Sequence, residues 1–341
     1  MLARTNSPLR TLIKKSKWAL ILYTVAHSQW VRSRFRRGRI DSITGSTFSQ
    51  LSIPEAVRVI NRNLNDYLLY SDWKLENFRG KTVLEGGPGD NVGVPLRLLA
   101  NEATFVATLD KFYPIHDPGH QRKIYLALRE ALPESERRLF DEAIKISDKD
   151  FTLDESKLKC IYGHGLEEAD QVFEKNFFDV IISRGVIQEI FDTDRVFEAM
   201  DNVLKPGGIM MHKIDLRDYG IFSSNGHHPL TFLTISDPVY HWMASQSNRP
   251  SRKTVDYYYK KVAEYGYEAS FFVTTVTRMG YPKPPIEVLP HKKELTLGVD
   301  YTQENLDLVH SIRPHLAPQF RKLSDDELLT AGIFLVIRKK G

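Results

Sequence analysis

Cysteine is the scarcest residue of this 341-residue sequence, with Cys160 alone. A single thiol excludes a disulfide framework and a cysteine-rich metal site, and it fits a reducing, cytoplasmic setting. Cys160 lies in an apolar-alternating run and reads as a buried structural thiol. Long apolar runs are also missing. The best, residues 18–26, is interrupted by Tyr23 and Thr24, far short of the roughly 20 apolar residues that cross a bilayer. No small-residue cleavage site follows it, as a secretory signal requires. Internal repeats and low-complexity tracts are absent. Acidic residues are missing from residues 1–40, which hold ten Lys and Arg, whereas the rest has 37 basic against 43 acidic residues. The arm therefore attracts an anionic partner, a membrane surface or a nucleic acid, while the body is mildly acidic. An amphipathic helix anchored by Trp18, Leu20, Leu22 and Trp30 would place the chain peripherally on the inner face of a membrane; the alternative is that the arm packs on the domain.

What is present begins with Thr82-Val83-Leu84-Glu85-Gly86-Gly87-Pro88-Gly89-Asp90-Asn91-Val92-Gly93. An apolar run ends in an acid, then a glycine turn, then the apolar pattern Val94, Leu96, Leu98, Leu99. This predicts strand, tight loop and helix. Glycine permits positive φ and close approach of backbone to a ligand, and the helix N-terminus beyond it presents free N–H groups. The loop is a candidate cofactor cradle.

Three regions follow from patterning: a basic arm (1–40), a helical preface (41–80) and a large α/β domain (81–341) with insertions at about 111–157 and 279–331. Ser52-Ile53-Pro54-Glu55 predicts a helix start. A second strand ends at Asp110, 25 residues beyond Glu85, where an acid can accept hydrogen bonds from ribose hydroxyls. A third strand is expected at 158–162, before Gly163-His164-Gly165, and a fourth at 178–183, running into Arg184. Leu204-Lys205-Pro206-Gly207-Gly208 turns into a fifth that carries His212 and Asp215. Strands alternating with helices predict a mostly parallel sheet covered on both faces. Residues 279–300 are Pro-rich and read as loop.

Four features together resemble the class I S-adenosylmethionine-dependent methyltransferases, over about residues 80–277 and 332–338. They are the acid-glycine loop 85–89, Asp110, the strand Phe178-Asp179-Val180-Ile181-Ile182-Ser183, and the turn Leu204-Lys205-Pro206-Gly207-Gly208. The resemblance implies a Rossmann-like seven-stranded, mostly parallel sheet with an antiparallel final hairpin, and S-adenosyl-L-methionine as cofactor. Its implied cofactor residues are Glu85, Gly86, Gly87, Pro88, Gly89, Asp90, Asp110, Lys111, His164, Gly165, Ser183 and Arg184. Asn91 stands where the family has its third loop glycine, and Asn tolerates left-handed backbone better than most residues. The acid that often reads adenine after the third strand is not evident; His164 stands near that place.

A nicotinamide enzyme uses the same loop physics, but the glycines at 87, 89 and 93 are one residue too long for G-x-G-x-x-G. Glu85 directly before the turn also repels a pyrophosphate and welcomes a cationic amino group.

Methyl transfer to oxygen needs alignment and a base. Candidates at the strand ends are Glu189, His212, Asp215, His227 and His228. Asp192 and Asp194 with these residues form only scattered metal ligands, and no metal is expected. The polar, aromatic segment from Asp215 to Trp242 suits a glycan or small hydroxylated acceptor. A nucleic-acid (RNA) methyltransferase is the alternative, weighed against by the acidic body and by Ser183-Arg184-Gly185-Val186 where an Asn/Asp-Pro-Pro-Tyr/Phe motif would stand. A non-catalytic binding module is the third reading.

Overall fold

The computed structural model describes residues 14–42, 45–245, 249–282 and 287–341; the rest of the basic arm, residues 1–13, lies outside them. Helix α1, Lys17–Arg36, is capped by the Ser16 hydroxyl, which accepts from Ala19 N. Helix α2, Ile53–Ser71, starts at a capping box in which Ser52 N donates to the Glu55 carboxylate at 3.1 Å. Its face Ala56, Ile60, Leu64 and Tyr67 is buried, as the helical spacing requires.

The domain then alternates strand and helix. Strand β1 is Thr82–Gly86, followed by α3, Gly93–Ala100. Strand β2, Phe105–Asp110, leads into α4, Pro118–Glu130, and α5, Glu134–Ala143. Strand β3 is Leu158–Tyr162, and β4 is Phe178–Arg184. Helix α6, Thr193–Val203, feeds β5, Leu204–Asp215. Beyond lie α7, Asp237–Ala244, α8, Val255–Glu264, and β6, Glu268–Val276. The chain closes with β7, Glu287–Lys292, α9, Gln303–Ile312, and β8, Thr330–Arg338.

The main sheet has eight strands in the order β7-β6-β8-β5-β4-β1-β2-β3. Strands β3, β2, β1, β4 and β5 are parallel. Strand β8 inserts antiparallel between β5 and β6. The sheet thus has one strand more than expected: β7, at the edge, comes from the segment whose prolines read as loop. Proline is tolerated in an edge strand, whose open side needs no ladder donor.

Both faces of the sheet are buried. Val83, Val106, Val180 and Met211 pack under α2 to α5, and Leu84, Ile181, Met210 and Leu335 pack under α6 and α8. A third apolar cluster joins α1 and α7 to Phe222, Phe232 and Val309 of α9. The arm helix is therefore part of the folded body, with Leu20 and Ile21 buried against α7. Leu20 faces the core, while Trp18, Leu22 and Trp30 remain exposed. No helix among the described residues is long and apolar enough to cross a membrane.

Candidate active site

The C-terminal ends of the parallel strands open into one cleft of about 850 Å³, within the size of a small-molecule site. Switch-point geometry puts ligands there in open α/β sheets. The floor is the β1–α3 loop. Gly87 and Gly89 have φ of +64° and +69°. A Cβ at Gly87 would sit 2.3 Å from Val186 Cγ2, and one at Gly89 would sit 2.6 Å from Gly45 O. Both positions need glycine for space as well as for backbone.

Asn91 is not left-handed. Its Oδ1 accepts from Gly93 N at 2.7 Å, and its amide donates to Gln121. It holds the loop by capping α3 rather than by replacing a glycine's conformation.

Glu85 is buried at the end of β1, and its Oε2 has no hydrogen-bond partner among the described residues. Desolvation pushes its pKa up to about 8. A buried carboxylate with an unsatisfied oxygen beside a glycine cradle fits a cationic amino group. Asp110 lines the same cleft. Its Oδ1 accepts from Phe112 N at 3.0 Å, and burial raises its pKa to about 6 against the backbone hydrogen bonds from Phe112 and Gly89.

The other cofactor candidates divide. Pro88, Lys111, Gly165 and Arg184 line the cleft with Glu85, Gly87, Gly89 and Asp110. Gly86 is packed against Leu166, whose Cδ1 would lie 2.4 Å from an added Cβ. The Asp90 carboxylate turns to the preface and accepts from Phe48 N, Ser49 N and Ser49 Oγ at 3.0, 2.8 and 2.5 Å. The His164 ring lies 3.5 Å from the Glu168 carboxylate, outside the cleft lining. Ser183 is fully buried and bonded to His212.

Of the acid–base candidates, Glu189 alone lines the cleft. Its pKa is pushed up to about 8, first by desolvation, with the Tyr219 hydroxyl bond opposing and the charges of Asp110 and Asp215 adding. His212 is fully buried, and desolvation lowers its pKa to about 3. Asp215 is held by Arg217 through Nε at 2.9 Å and Nη2 at 2.7 Å, with the guanidinium 4.1 Å over the Tyr281 ring. His227 Nε2 lies 3.1 Å from Lys14 O. His228 receives a bond from Leu230 N at Nδ1 and donates from Nε2 to Leu308 O. Asp192 caps α6, and Asp194 pairs with Lys261 at 2.6 Å. Among the described residues no group of three His, Cys, Asp or Glu is placed to hold a metal.

The cleft also contains residues with no local sequence signal. Glu167 follows β3, with Oε1 2.7 Å from Lys111 Nζ and Oε2 buried without a partner. It lies three residues beyond His164, near the place of the adenine-reading acid that the resemblance implies. Arg32, Phe35 and Arg36 of α1 and Arg62 and Asn63 of α2 form a second wall. Phe35 meets Phe112 edge-on at 6.0 Å, clamping the arm to the loop after β2.

Residues 154–224 match the family described as a methyltransferase domain. No curated protein sequence matches the chain. Among solved structures, phosphoethanolamine N-methyltransferase 2 of Haemonchus contortus, in complex with phosphomonomethylethanolamine and S-adenosylhomocysteine, is 16% identical. That match covers 82% of this chain and 53% of the other, with a TM-score of 0.39. A protein of Galdieria sulphuraria assigned as a sarcosine dimethylglycine methyltransferase is 18% identical over 86% of this chain and 89% of its own, with a TM-score of 0.41. The chain spans about half the length of the Haemonchus enzymes it matches. The family match over residues 154–224, the strand order and the acid–glycine loop are together similar to those of the class I S-adenosylmethionine-dependent methyltransferases.

Proposed function

We propose that this protein transfers a methyl group from S-adenosylmethionine to a hydroxyl of a glycan or small hydroxylated acceptor. The observation that carries the reading is the convergence of Glu85, Asp110 and Glu189 on one cleft at the strand ends. Bound there, the cofactor would supply an electrophilic methyl on a sulfonium. Gly87 and Gly89 let the backbone approach it, Glu85 takes its ammonium, and Asp110 accepts from its ribose hydroxyls. Glu189 is the group with both the position and the raised pKa to remove the acceptor proton near neutrality. The nearby Tyr219 hydroxyl favours the ionised carboxylate against the desolvation.

Calorimetry with S-adenosylhomocysteine tests the cofactor part. We expect saturable binding that Gly87→Arg abolishes, because the new side chain enters the space of Val186. No binding by the intact protein would sink it. A tritiated-methyl screen over glycans, hydroxylated small molecules, lipids and RNA tests the acceptor. Label entering RNA alone would replace this reading with the nucleic-acid one.

A peripheral membrane position is part of the same proposal. It is supported by the exposed Trp18, Leu22 and Trp30 on a helix flanked by basic residues. Replacing these three by Ser is expected to abolish sedimentation with anionic liposomes; unchanged sedimentation would remove the proposal.

A further inference from the structure

Not every cation of the cleft is paired. Of its five cationic side chains, Lys111 is paired with Glu167 at 2.7 Å and Arg184 with Asp66 at 2.5 Å. Arg32, Arg36 and Arg62 have no ion pair or hydrogen bond among the described residues. They belong to elements that are fixed in place. Helix α1 is anchored by Leu20 and Ile21, by Lys17 Nζ donating to Thr234 Oγ1 at 2.6 Å, and by Phe35 against Phe112. Helix α2 is anchored through its buried face. Of the five carboxylates that line the cleft, Glu167 is taken by Lys111, Glu85 and Glu189 are held largely protonated at neutral pH by burial, and Asp110 and Asp192 accept from backbone N–H groups and form no ion pair with these arginines. S-Adenosylmethionine carries two positive centres and one carboxylate, so it can satisfy at most one guanidinium and adds positive charge to the cleft. Three free arginines beside a cationic cofactor repel a cationic partner and favour an anionic one. Guanidinium also matches phosphate and carboxylate oxygens through paired N–H donors.

We infer that the acceptor carries an anionic group, a phosphate ester or a free carboxylate on the hydroxylated molecule, which Arg32, Arg36 and Arg62 bind at the wall of the cleft. This inference rests on the methyl-transfer reading for the identity of the cleft. The anion comes either from a soluble phosphate or from the headgroup of an anionic lipid, the latter reached through the exposed face of the same helix. In either case α1 is a substrate-reading element, and the basic arm acts inside the site as well as on the surface.

The full-length protein loaded with S-adenosylhomocysteine is titrated with inorganic phosphate by calorimetry, and co-sedimented with phosphatidylcholine vesicles with and without phosphatidylglycerol. Two variants are compared. One carries Arg32→Gln, Arg36→Gln and Arg62→Gln. The other removes the same charge outside the cleft, through Arg37→Gln, Arg39→Gln and Arg58→Gln. Thermal unfolding checks that both fold. Saturable phosphate binding, weakened at least about tenfold in the first variant and retained in the second, supports the inference with a soluble anion. Binding only to phosphatidylglycerol vesicles, lost in the first variant and kept in the second, supports it with a lipid headgroup. Equal losses in both variants, binding unchanged in the first, or no binding to either probe overturns it. Failure of the intact protein to bind S-adenosylhomocysteine counts instead against the methyl-transfer reading, and phosphate binding is then scored on the unloaded protein.

Discussion

Ser183 Oγ lies 2.8 Å from Nδ1 of His212, across neighbouring strands β4 and β5, with both side chains fully shielded from solvent. The other ring nitrogen, Nε2, is buried with no partner among the described residues. Burial holds the ring neutral, with its pKa down at about 3. The folded protein therefore resists a proton that the unfolded chain accepts near pH 6.5. Stability from this group is present above pH 6.5 and is lost as pH falls toward 3. We expect the melting temperature to drop more steeply between pH 7 and pH 5 in the wild type than in His212→Gln. Equal slopes would show that His212 does not carry this linkage.

Glu189 should govern the acid limb of activity. With its pKa at about 8, the basic form fills as pH rises, and kcat/KM is expected to climb to a plateau above that value. Glu189→Gln should flatten the limb and cost about 10²-fold or more in rate. Tyr219 offers a second check. Its hydroxyl bond lowers the Glu189 pKa, so Tyr219→Phe should move the limb to higher pH with the plateau retained. A limb that stays in place in both variants would remove Glu189 as the base.

Glu85 makes cofactor binding a proton-releasing event. Burial keeps it mostly protonated at pH 7, and an ammonium group placed beside it favours the ionised form. Calorimetry of S-adenosylhomocysteine in buffers of different ionisation enthalpy should therefore show up to about one proton released per molecule at pH 7, by linkage. Glu85→Gln should abolish the release and weaken binding. The same variant should raise the melting temperature of the free protein at pH 8 to 9. The raised folded pKa means that Glu85 costs stability as pH climbs above the unfolded value, and the amide carries no such charge.

The parts of the site that were legible in the sequence are those built from adjacent residues. Glu85, the glycines at 87 and 89, and Asp110 are read from local spacing because strand, turn and helix dictate it. The presence of five parallel strands follows from the same alternation. What was not legible depends on distant segments meeting. Arg32 and Arg62 reach the cleft only because α1 and α2 fold onto it, and a charge count cannot place them. Glu167 reads as one of two consecutive acids until Lys111 is seen beside it. Asn91 looked like a tolerant backbone position, whereas its work is done by a side-chain cap to Gly93. Strand β7 escaped because proline lowers strand propensity whether or not an edge will accept it.

The preface is tied to the cleft by a shielded charge cluster, and that tie can be broken with one substitution. Asp66 of α2 accepts from Arg184 Nη1 at 2.5 Å and lies 3.7 Å from Lys213 Nζ, which itself pairs with Glu287 at 2.5 Å. The cluster joins α2 to the ends of β4 and β5 and to the edge strand β7. The set is part-buried, so removing one member leaves the others less compensated at a solvent-screened cost of about 1 kcal/mol or more. Asp66→Asn should therefore lower the melting temperature. Lys213 keeps Glu287 and stays charged, but Arg184 loses its ion pair and can swing within the cleft. Affinity for S-adenosylhomocysteine should fall with stability in Asp66→Asn. In Lys213→Met stability should fall with smaller effect on affinity, because Arg184 keeps Asp66. If both variants leave affinity untouched, the preface supports the fold without positioning the cleft.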